Sequence, residues 1–118
     1  MLDLLATLEE ILDTTVCLDE KTKAETLFVF SHFKSKDWNY PGVIKRNLHL
    51  SIEDVYRVLE ALRREGATES WYEYHCGHCQ RPLGTVQQFN ELPEYIECDY
   101  CGEAFPTVEN TIKIYRVL

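Results

Sequence analysis

The sequence predicts a small α+β protein in which helices come first and short strands follow. Two features of the 118 residues predict this order. Up to Gly66, apolar residues recur at spacings of three and four, as they do on one face of an amphipathic helix. Beyond Gly66, the chain is rich in Tyr and Trp, which favour strands, and it carries two Cys-x-x-Cys pairs separated by turn residues.

The charge is unevenly distributed along the chain, whose formal net charge is −8. Residues 1–19 carry five acids and no Lys or Arg, and residues 20–75 carry nine acids and nine bases. A nucleic-acid-binding protein usually has a basic excess in some region, whereas here the middle segment only reaches neutrality. No apolar run approaches the roughly 20 residues of a membrane-spanning helix, and the start lacks the basic residues of a secretory signal. We therefore expect a cytoplasmic protein with no membrane partner.

Residues 1–18 are predicted to form an amphipathic acidic helix. Leu5, Leu8 and Leu12 share one stripe of this helix, and its acids lie elsewhere on the helical wheel. The stripe would pack on the rest of the chain or on a second copy, giving a homodimer, or it would bind the groove of another protein. These alternatives stay open at this point. Cys17 stands apart from the other cysteines and is predicted to be a buried free thiol.

Residues 19–75 contain the pattern of three helices followed by a strand. Ala24, Leu27, Phe28 and Phe33 fall at helical spacings and predict the first of these helices. The spacing predicts that these apolar side chains share one face. The stretch from residue 34 to residue 42 then breaks the helical pattern.

The second and third helices have clear start and stop signals. Pro41 suits the first turn of the second helix, because its missing N–H would have no partner there in any case. In the third helix, Ser51 can cap the N-terminus and Asp54 completes a capping-box-like pattern, while Gly66 ends the helix. The apolar stripe of the third helix comprises Ile52, Val55, Leu59 and Leu62.

The order of these elements resembles a winged helix-turn-helix, and the stretch LSIEDVYRVLEALRREGATE resembles the recognition helix and wing start of that superfamily. The resemblance implies that the third helix could enter a DNA major groove. However, Glu53 precedes Arg57 by four residues and Glu60 precedes Arg64 likewise, which is the favourable order for ion pairs along a helix. This pattern favours a solvated, charge-paired face over a phosphate-binding surface. The candidate phosphate contacts are Lys45, Arg46, Arg57, Arg63 and Arg64.

Four cysteines in the pattern C-x2-C-x18-C-x2-C predict one structural zinc site. The predicted ligands are Cys76, Cys79, Cys98 and Cys101. Zinc takes four soft ligands in a tetrahedron, and four thiolates leave no open position for a catalytic water. The first pair reads Cys-Gly-His-Cys, which dithiol oxidoreductases also use, but such a site needs its first cysteine at the start of a helix in a βαβ setting. Pro82 and Gly84 follow instead, so the sequence favours Zn²⁺ over redox chemistry.

Residues 76–109 resemble a zinc ribbon that is either appended to the wing or inserted in it. Residues 110–118 are predicted to be a strand that would pair with residues 71–75 and complete the wing. In that arrangement the metal would replace the core that so small a lobe cannot build.

The turns around the two cysteine pairs, here called knuckles, are predicted to differ in strain. Gly102 directly follows the second pair, where a knuckle needs a residue at positive φ. Gln80 occupies the matching place in the first knuckle, and we expect it to strain that turn. His75 and His78 are expected to be exposed residues of the first knuckle and not metal ligands.

The combination of a winged helix and a four-cysteine ribbon resembles in architecture the N-terminal half of the alpha subunit of the general transcription factor E and its archaeal relatives. The helix-turn-helix stretch 41–66 and the four cysteines carry this resemblance. In that family the module works mainly by contacting polymerase and promoter complexes. The resemblance implies a non-catalytic, zinc-stabilised adaptor that mediates protein–protein interaction in a larger complex, which could include nucleic acid.

Two further expectations concern activity and contacts. The sequence has no phosphate-binding glycine loop, dinucleotide fingerprint or metalloprotease motif, so we do not expect an enzyme. The alternative function is a DNA-binding transcriptional regulator that uses the helix-turn-helix. Trp38 and Trp71 join the leucine stripe as candidate partner-binding residues, because aromatic side chains are enriched at protein interfaces.

Overall fold

The computed structural model of the chain describes residues 4–16 and 18–118. Cys17, whose burial the sequence predicted, lies outside the described residues. The fold is α+β, and its helices are α1 (Leu4–Thr14), α2 (Glu20–Phe30), α3 (Pro41–Arg46) and α4 (Ile52–Arg64). Its strands are β1 (Trp38–Asn39), β2 (Thr68–His75), β3 (Pro82–Val86), β4 (Tyr95–Glu97), β5 (Ala104–Pro106) and β6 (Thr111–Val117). None of the described helices has the length and apolarity needed to cross a membrane.

The strands form two sheets. The first has the strand order β1-β6-β2-β3, and the second consists of β4 and β5 paired antiparallel. In the first sheet, β1 pairs antiparallel with β6 and β2 pairs antiparallel with β3. Strands β2 and β6, which are neighbours in this sheet, bracket the chain segment that contains the two cysteine pairs.

The chain divides into two compact units. The first comprises the described residues up to Glu69 together with Tyr115–Leu118, and the second comprises Ser70–Ile114. All four helices belong to the first unit, and both cysteine pairs belong to the second.

The core of the first unit lies between its helices. Helix α4 packs against both α1 and α3, and α1 also packs against α2. The most deeply buried side chains of this core include Leu8, Leu12, Phe30, Val55, Val58, Leu59, Leu62 and Tyr115. Each fully buried Leu or Phe contributes about 1.5–3 kcal/mol relative to exposure, so these contacts account for the cohesion of the unit.

The predicted caps form as the sequence indicated. The Ser51 side chain accepts a hydrogen bond from the Asp54 backbone N–H at 3.1 Å and so caps α4. Pro41 occupies the first turn of α3. Gly66 has a φ of +80° directly after the end of α4, a conformation that glycine adopts without steric cost. Helix α2 has a cap that the sequence analysis did not identify, since Asp19 accepts from the Thr22 N–H at 2.7 Å.

The predicted apolar face of α2 is buried only in part. Leu27 and Phe33 are half-buried and pack against the core, as expected for that face. Thr26 and Phe30, four residues apart, are the buried side chains of this helix, whereas Ala24 is exposed and Phe28 is 67% exposed. Burial of a threonine is tolerated here because its hydroxyl donates to the Thr22 carbonyl at 2.8 Å and so has a partner within its own helix. Thr26 and Phe30 therefore join Leu27 on the buried side of the helix, whereas Phe28 lies mainly in solvent.

A polar contact lies within this core. The hydroxyl of Tyr115 donates a hydrogen bond to Oε1 of Glu60 at 2.5 Å, and the other carboxylate oxygen of Glu60 accepts from Nε of Arg63 at 2.9 Å. Tyr115 is fully buried. Burial, together with the hydrogen bond to the Glu60 carboxylate, raises the pKa of Tyr115 far above its ordinary value of 10.0. The contact joins β6 to α4 within the first unit.

We expect Tyr115→Phe to destabilise the first unit by about 2 kcal/mol, because a charge-assisted hydrogen bond from a buried hydroxyl is lost. The contribution of this hydrogen bond to the free energy of unfolding should also depend on pH. The folded protein holds the Tyr115 proton more tightly than the unfolded chain, in which the tyrosine pKa has its ordinary value of 10.0. The hydrogen bond therefore stabilises fully below pH 10 and progressively less as the pH rises above it. Urea unfolding at neutral and alkaline pH measures both effects.

Tyr95→Phe, which removes an exposed hydroxyl, is the control for this test. An equal loss of stability in both variants would contradict the role given to the Tyr115 hydroxyl.

Candidate metal centre

The four cysteines lie together in the second unit. The Sγ atoms of Cys76, Cys79, Cys98 and Cys101 all lie within 4.8 Å of one another, and all four are free thiols. The Sγ atoms of Cys76 and Cys101 are 3.4 Å apart, and those of Cys79 and Cys98 are 3.6 Å apart. Sulfurs bound to one tetrahedral ion at about 2.3 Å lie about 3.8 Å from each other. The four sulfurs therefore have the spacing that a single tetrahedral metal ion needs.

Each cysteine pair occupies the turn between two antiparallel strands. Cys76 directly follows β2 and Cys98 directly follows β4, and in each case the next strand begins six residues after that cysteine. In each pair the first cysteine is buried and the second is exposed. The two turns are thus built alike, and each turn contributes two sulfurs to the cluster.

Backbone hydrogen bonds shape the first knuckle. The Cys76 N–H donates to the Arg81 carbonyl at 2.9 Å, and the Gln80 N–H donates to the Cys76 carbonyl at 3.0 Å. The N–H groups of His78 and Cys79 point at the Cys76 sulfur, at 3.4 and 3.3 Å. These donors stabilise a thiolate at Cys76, which is the form that binds a metal.

The second knuckle repeats the backbone pattern of the first. The Cys98 N–H donates to the Glu103 carbonyl at 2.9 Å, and the Gly102 N–H donates to the Cys98 carbonyl at 2.7 Å. The residue after the second cysteine has positive φ in both knuckles, +73° at Gly102 and +62° at Gln80. The expected difference in strain is therefore present, because a left-handed backbone costs an L-residue roughly 1–2 kcal/mol and costs glycine little.

A steric constraint explains the glycine inside the Cys-Gly-His-Cys motif. A Cβ atom on Gly77 would lie 2.8 Å from Cδ1 of Phe105 and 2.9 Å from Oδ1 of Asn110. Real Cβ atoms do not approach other heavy atoms so closely. Gly77 is therefore required by the packing of the first knuckle against Phe105 of β5. The motif also lies in a hairpin turn and not at the start of a helix, which is where a dithiol oxidoreductase needs its first cysteine.

The thiols influence one another's ionisation. Burial opposes ionisation of the Cys76 thiol, but the hydrogen bonds from the N–H groups of Cys79 and His78 prevail and lower the pKa of Cys76 to about 6. The Glu103 N–H lowers the pKa of Cys101, yet burial and the neighbouring sulfurs of Cys76 and Cys98 raise it to about 12 overall. One thiolate is thus favoured, and its charge opposes ionisation of its neighbours. A divalent cation among the sulfurs would reverse this repulsion and allow all four to ionise.

The neighbouring polar and aromatic side chains lie beside the sulfur cluster without joining it. The sequence predicted that His75 is exposed, but it is half-buried. Its Nε2 contacts Oε1 of the buried Glu73 at 2.7 Å, which holds the ring against β2. His78 is exposed, as the sequence predicted, and lies outside the set of four sulfurs. The guanidinium of Arg81 lies 3.9 Å from the centre of the Tyr100 ring and so connects the two knuckles. The sequence offered no signal for the last contact, since it depends on how the two turns face each other.

The basic residues considered as phosphate contacts are interspersed with acids. Arg57 forms an ion pair with Asp54 at 3.1 Å, and Arg63 forms one with Glu60 at 2.9 Å. The sequence predicted pairs four residues apart, Glu53 with Arg57 and Glu60 with Arg64. In the structure each acid instead precedes its partner by three residues. The physical preference for acid before base along the helix is retained.

The remaining three of these bases are on the surface. Lys45 and Arg46 lie in the last turn of α3. Arg64 is exposed and lines a groove together with Glu10 and Glu65. Helix α4 therefore presents its arginines among carboxylates, which weakens the local attraction for phosphate.

The candidate partner-binding residues divide between core and surface. Leu8 and Leu12 are buried in the first unit's own core, so of the alternatives for the leucine stripe, packing on the rest of the chain describes these two side chains. Leu5, on the same helix, is partly exposed. Trp38 is also partly exposed and lies beside the Arg116 guanidinium, 5.3 Å from it, while Trp71 is half-buried in β2.

We expect Cys98→Ser to lower the affinity for added Zn²⁺ by more than about 100-fold. Substituting a residue that only supports a metal ligand costs up to about 100-fold, and Cys98 is itself a predicted ligand. The second unit of the variant should unfold, because its structure is coupled to the metal. Competition with a chelator measures the affinity, and hydrogen exchange of residues 70–114 measures the structure. His78→Ala alters a neighbour that is no ligand and should retain both. Normal zinc affinity in Cys98→Ser would show that the four thiols do not act as one site.

The two residues at positive φ provide a second test. We expect Gln80→Gly to stabilise the zinc-loaded protein by about 1 kcal/mol and Gly102→Ala to destabilise it by a similar amount. Chelator-induced unfolding, followed by circular dichroism, compares both variants with the wild type. If the two substitutions shift the transition in the same direction, the knuckles do not share the backbone geometry described here.

Comparison with known proteins leaves the function to be inferred from this geometry. No protein-family model, no curated protein and no solved structure matches the chain. The firmest functional feature is therefore the cluster itself, in which four free thiols within 4.8 Å of one another can hold one metal ion.

Proposed function

We propose that the protein is a non-catalytic adaptor in which a zinc-stabilised winged helix binds a protein partner within a larger complex. The observation that carries this proposal is the closed set of four sulfurs at Cys76, Cys79, Cys98 and Cys101. Four thiolates complete the tetrahedron of one ion and leave no position for water or substrate, so such a site holds structure and does not react. A cytoplasmic setting, where thiols stay reduced, belongs to the same proposal.

Zinc is the proposed metal because it favours tetrahedral thiolate coordination and needs no redox partner. Iron in a four-thiolate site is the main competitor by ligand type. The sharp backbone turns, the donor bonds to the Cys76 sulfur and the paired hairpins suit either ion, so elemental analysis of the purified protein decides between them. One zinc per chain supports the proposal.

The dithiol-enzyme alternative has little support. Its motif would need a nucleophilic cysteine at a helix N-terminus, whereas Cys76 follows a strand and is buried. The lowered pKa of Cys76 is shared by ligand thiolates and by redox thiolates, and it does not separate them. The proximity of all four sulfurs to one another favours the metal.

The winged-helix part of the proposal is supported by the element order α2-α3-α4-β2 and by the adjacency of β2 and β6 in the sheet. Residues 76–109, which lie between β2 and β6, would then be a zinc ribbon inserted between the two strands of the wing. The resemblance to the alpha subunit of general transcription factor E carries the adaptor role as an expectation, since that family's module contacts polymerase and promoter complexes.

A DNA-binding regulator is the second candidate, and the pair α3–α4 is the feature that favours it. Its third helix, α4, would have to approach DNA with Glu53 and Asp54 in its first turn. Carboxylates at that position repel phosphates, and both Arg57 and Arg63 are engaged by acids of the same helix. The main support for phosphate contact comes from the end of α3, where two bases follow each other in a helix that contains no acid.

We expect the zinc-loaded protein not to bind a labelled random-sequence DNA duplex, even at low salt, because the net charge is −8 and the arginines of α4 lie among acids. Fluorescence anisotropy from about 20 mM to about 500 mM NaCl makes this measurement. Binding that weakens steeply with salt would overturn the adaptor proposal. In that case, Lys45→Ala with Arg46→Ala should abolish binding, whereas Lys21→Ala with Lys113→Ala, a matched change of charge, should not.

A further inference from the structure

We propose that the surface on both sides of Phe28 binds a basic amphipathic helix of the protein partner, an inference that rests on the adaptor function proposed above. Two open grooves meet at Phe28. The α1–α2 groove has a volume of about 610 Å³ and is lined by apolar side chains that include Leu5, Ala24 and Leu27. The α2–α3 groove has a volume of about 450 Å³ and includes Phe33 and Val43. We call the two grooves together the Phe28 surface.

The Phe28 surface exposes large apolar side chains that the core does not use. Phe28 is 67% exposed, Val43 45% and Leu5 37%. Exposed large apolar side chains that line a surface groove are typical of binding sites, and Leu5, Phe28 and Val43 line the two grooves that meet here. The floor of the α2–α3 groove is firm, because Val29 and Phe33 pack against the buried core. The surface is therefore preformed and apolar, as docking grooves are.

Carboxylates border the Phe28 surface on both sides. Glu9 lines the α1–α2 groove and Glu25 lines the α2–α3 groove, and among the described residues no Lys or Arg lines either groove. Lys23 lies 3.9 Å from Glu9 but closer to Asp13, at 2.6 Å. His49 lies 3.3 Å from Glu25 and offsets its charge only when protonated. The complementary partner is thus apolar at its centre and positively charged at its flanks.

The same charges argue against a second copy of this chain as the occupant. Two Phe28 surfaces brought face to face would place Glu9 and Glu25 of one copy near the acids of the other. Each copy also carries a net charge of −8. Like charges placed together at an interface cost several kcal/mol and would disfavour the homodimer.

A helix suits the Phe28 surface better than an extended segment. In the described part of the chain no strand residue lines either groove, and most of the lining residues lie on helices, where backbone groups are hydrogen-bonded within the helix. Ser31, His32 and Phe33 form the turn after α2, and their N–H groups donate to carbonyls of that helix. An extended partner would therefore find no free strand edge to pair with at this surface. A helix can instead lay side chains three and four residues apart into the grooves on either side of the α2 ridge.

The test uses the zinc-loaded full chain and a fluorescent peptide of about 16 residues made only of Leu and Lys, with all Leu on one face of the helix. A peptide of the same composition with the Leu scattered, and one with Glu replacing Lys, are the control ligands. We expect binding of the first peptide alone, measured by fluorescence anisotropy. Equal binding of the scattered peptide would overturn the proposal, since charge alone would then explain the affinity.

Matched variants locate the site. Phe28→Ala should weaken binding about tenfold or more, while Tyr95→Ala, which removes a similarly exposed aromatic ring in the second unit, should change it less than about twofold. Glu9→Gln with Glu25→Gln should weaken binding more than Glu94→Gln with Glu109→Gln, which changes the net charge equally. Equal losses within each matched pair would overturn the proposal. Circular dichroism checks that every variant remains folded, as the exposure of these side chains leads us to expect.

Two outcomes separate this inference from the proposed function. If the protein binds neither duplex DNA nor the amphipathic peptide, the Phe28 surface does not bind a basic helix and the adaptor proposal stands unaffected. If it binds DNA with a steep salt dependence and also binds the peptide through Phe28, the adaptor proposal falls and the docking surface remains. Self-association of the wild type that Phe28→Ala abolishes would make a second copy the occupant and overturn the choice of a basic helix.

Discussion

The second unit depends on bringing four sulfurs into one small volume. Among Ser70–Ile114, the buried apolar side chains are Cys76, Ile96, Cys98 and Ile114, so half of them are sulfur ligands of the candidate metal centre. The large apolar cluster belongs to the helical unit. A segment of this size rarely folds on hydrophobic burial alone and usually needs disulfides, a metal or a partner. A metal ion on the four thiolates would supply the missing cohesion, and it would also offset the mutual repulsion that opposes ionisation of Cys79 and Cys101.

The local structure around the sulfurs follows from this requirement. Each knuckle must turn sharply within the few residues that connect two strands, so the residue after its second cysteine takes a positive φ. Gly102 adopts this conformation easily, whereas Gln80 does so under strain that the surrounding hydrogen bonds must offset. Gly77 is explained by a separate steric constraint, because the Phe105 side chain leaves no room for a Cβ atom at this position. A motif shared with redox enzymes is thus explained here by turn geometry and packing.

The faces of the helical unit differ in their chemistry. Its interior is apolar and is completed by Tyr115, whose hydroxyl binds Glu60 and so places a polar contact where β6 meets α4. The outer face of α4 alternates arginines with carboxylates, which limits its attraction for phosphate. The outer face of α2 instead exposes Phe28 between two apolar grooves with acids at their edges. This division is the physical basis for proposing a protein partner ahead of a nucleic acid.

The amino-acid sequence was sufficient to predict the features that depend on residues close to one another in the chain. The Ser51 cap, the turn at Gly66, the spacing of the cysteine pairs and the strain at Gln80 are of this kind, because each is determined within a few residues. Features that depend on packing between distant segments were not predictable. The exposure of Phe28 on α2, the burial of Leu8 and Leu12 beside a partly exposed Leu5, and the hydrogen bond of Tyr115 to Glu60 are examples. Helical periodicity shows that an apolar face exists, but the direction it takes is decided by which other elements offer a complementary surface, and that appears only when the chain is folded.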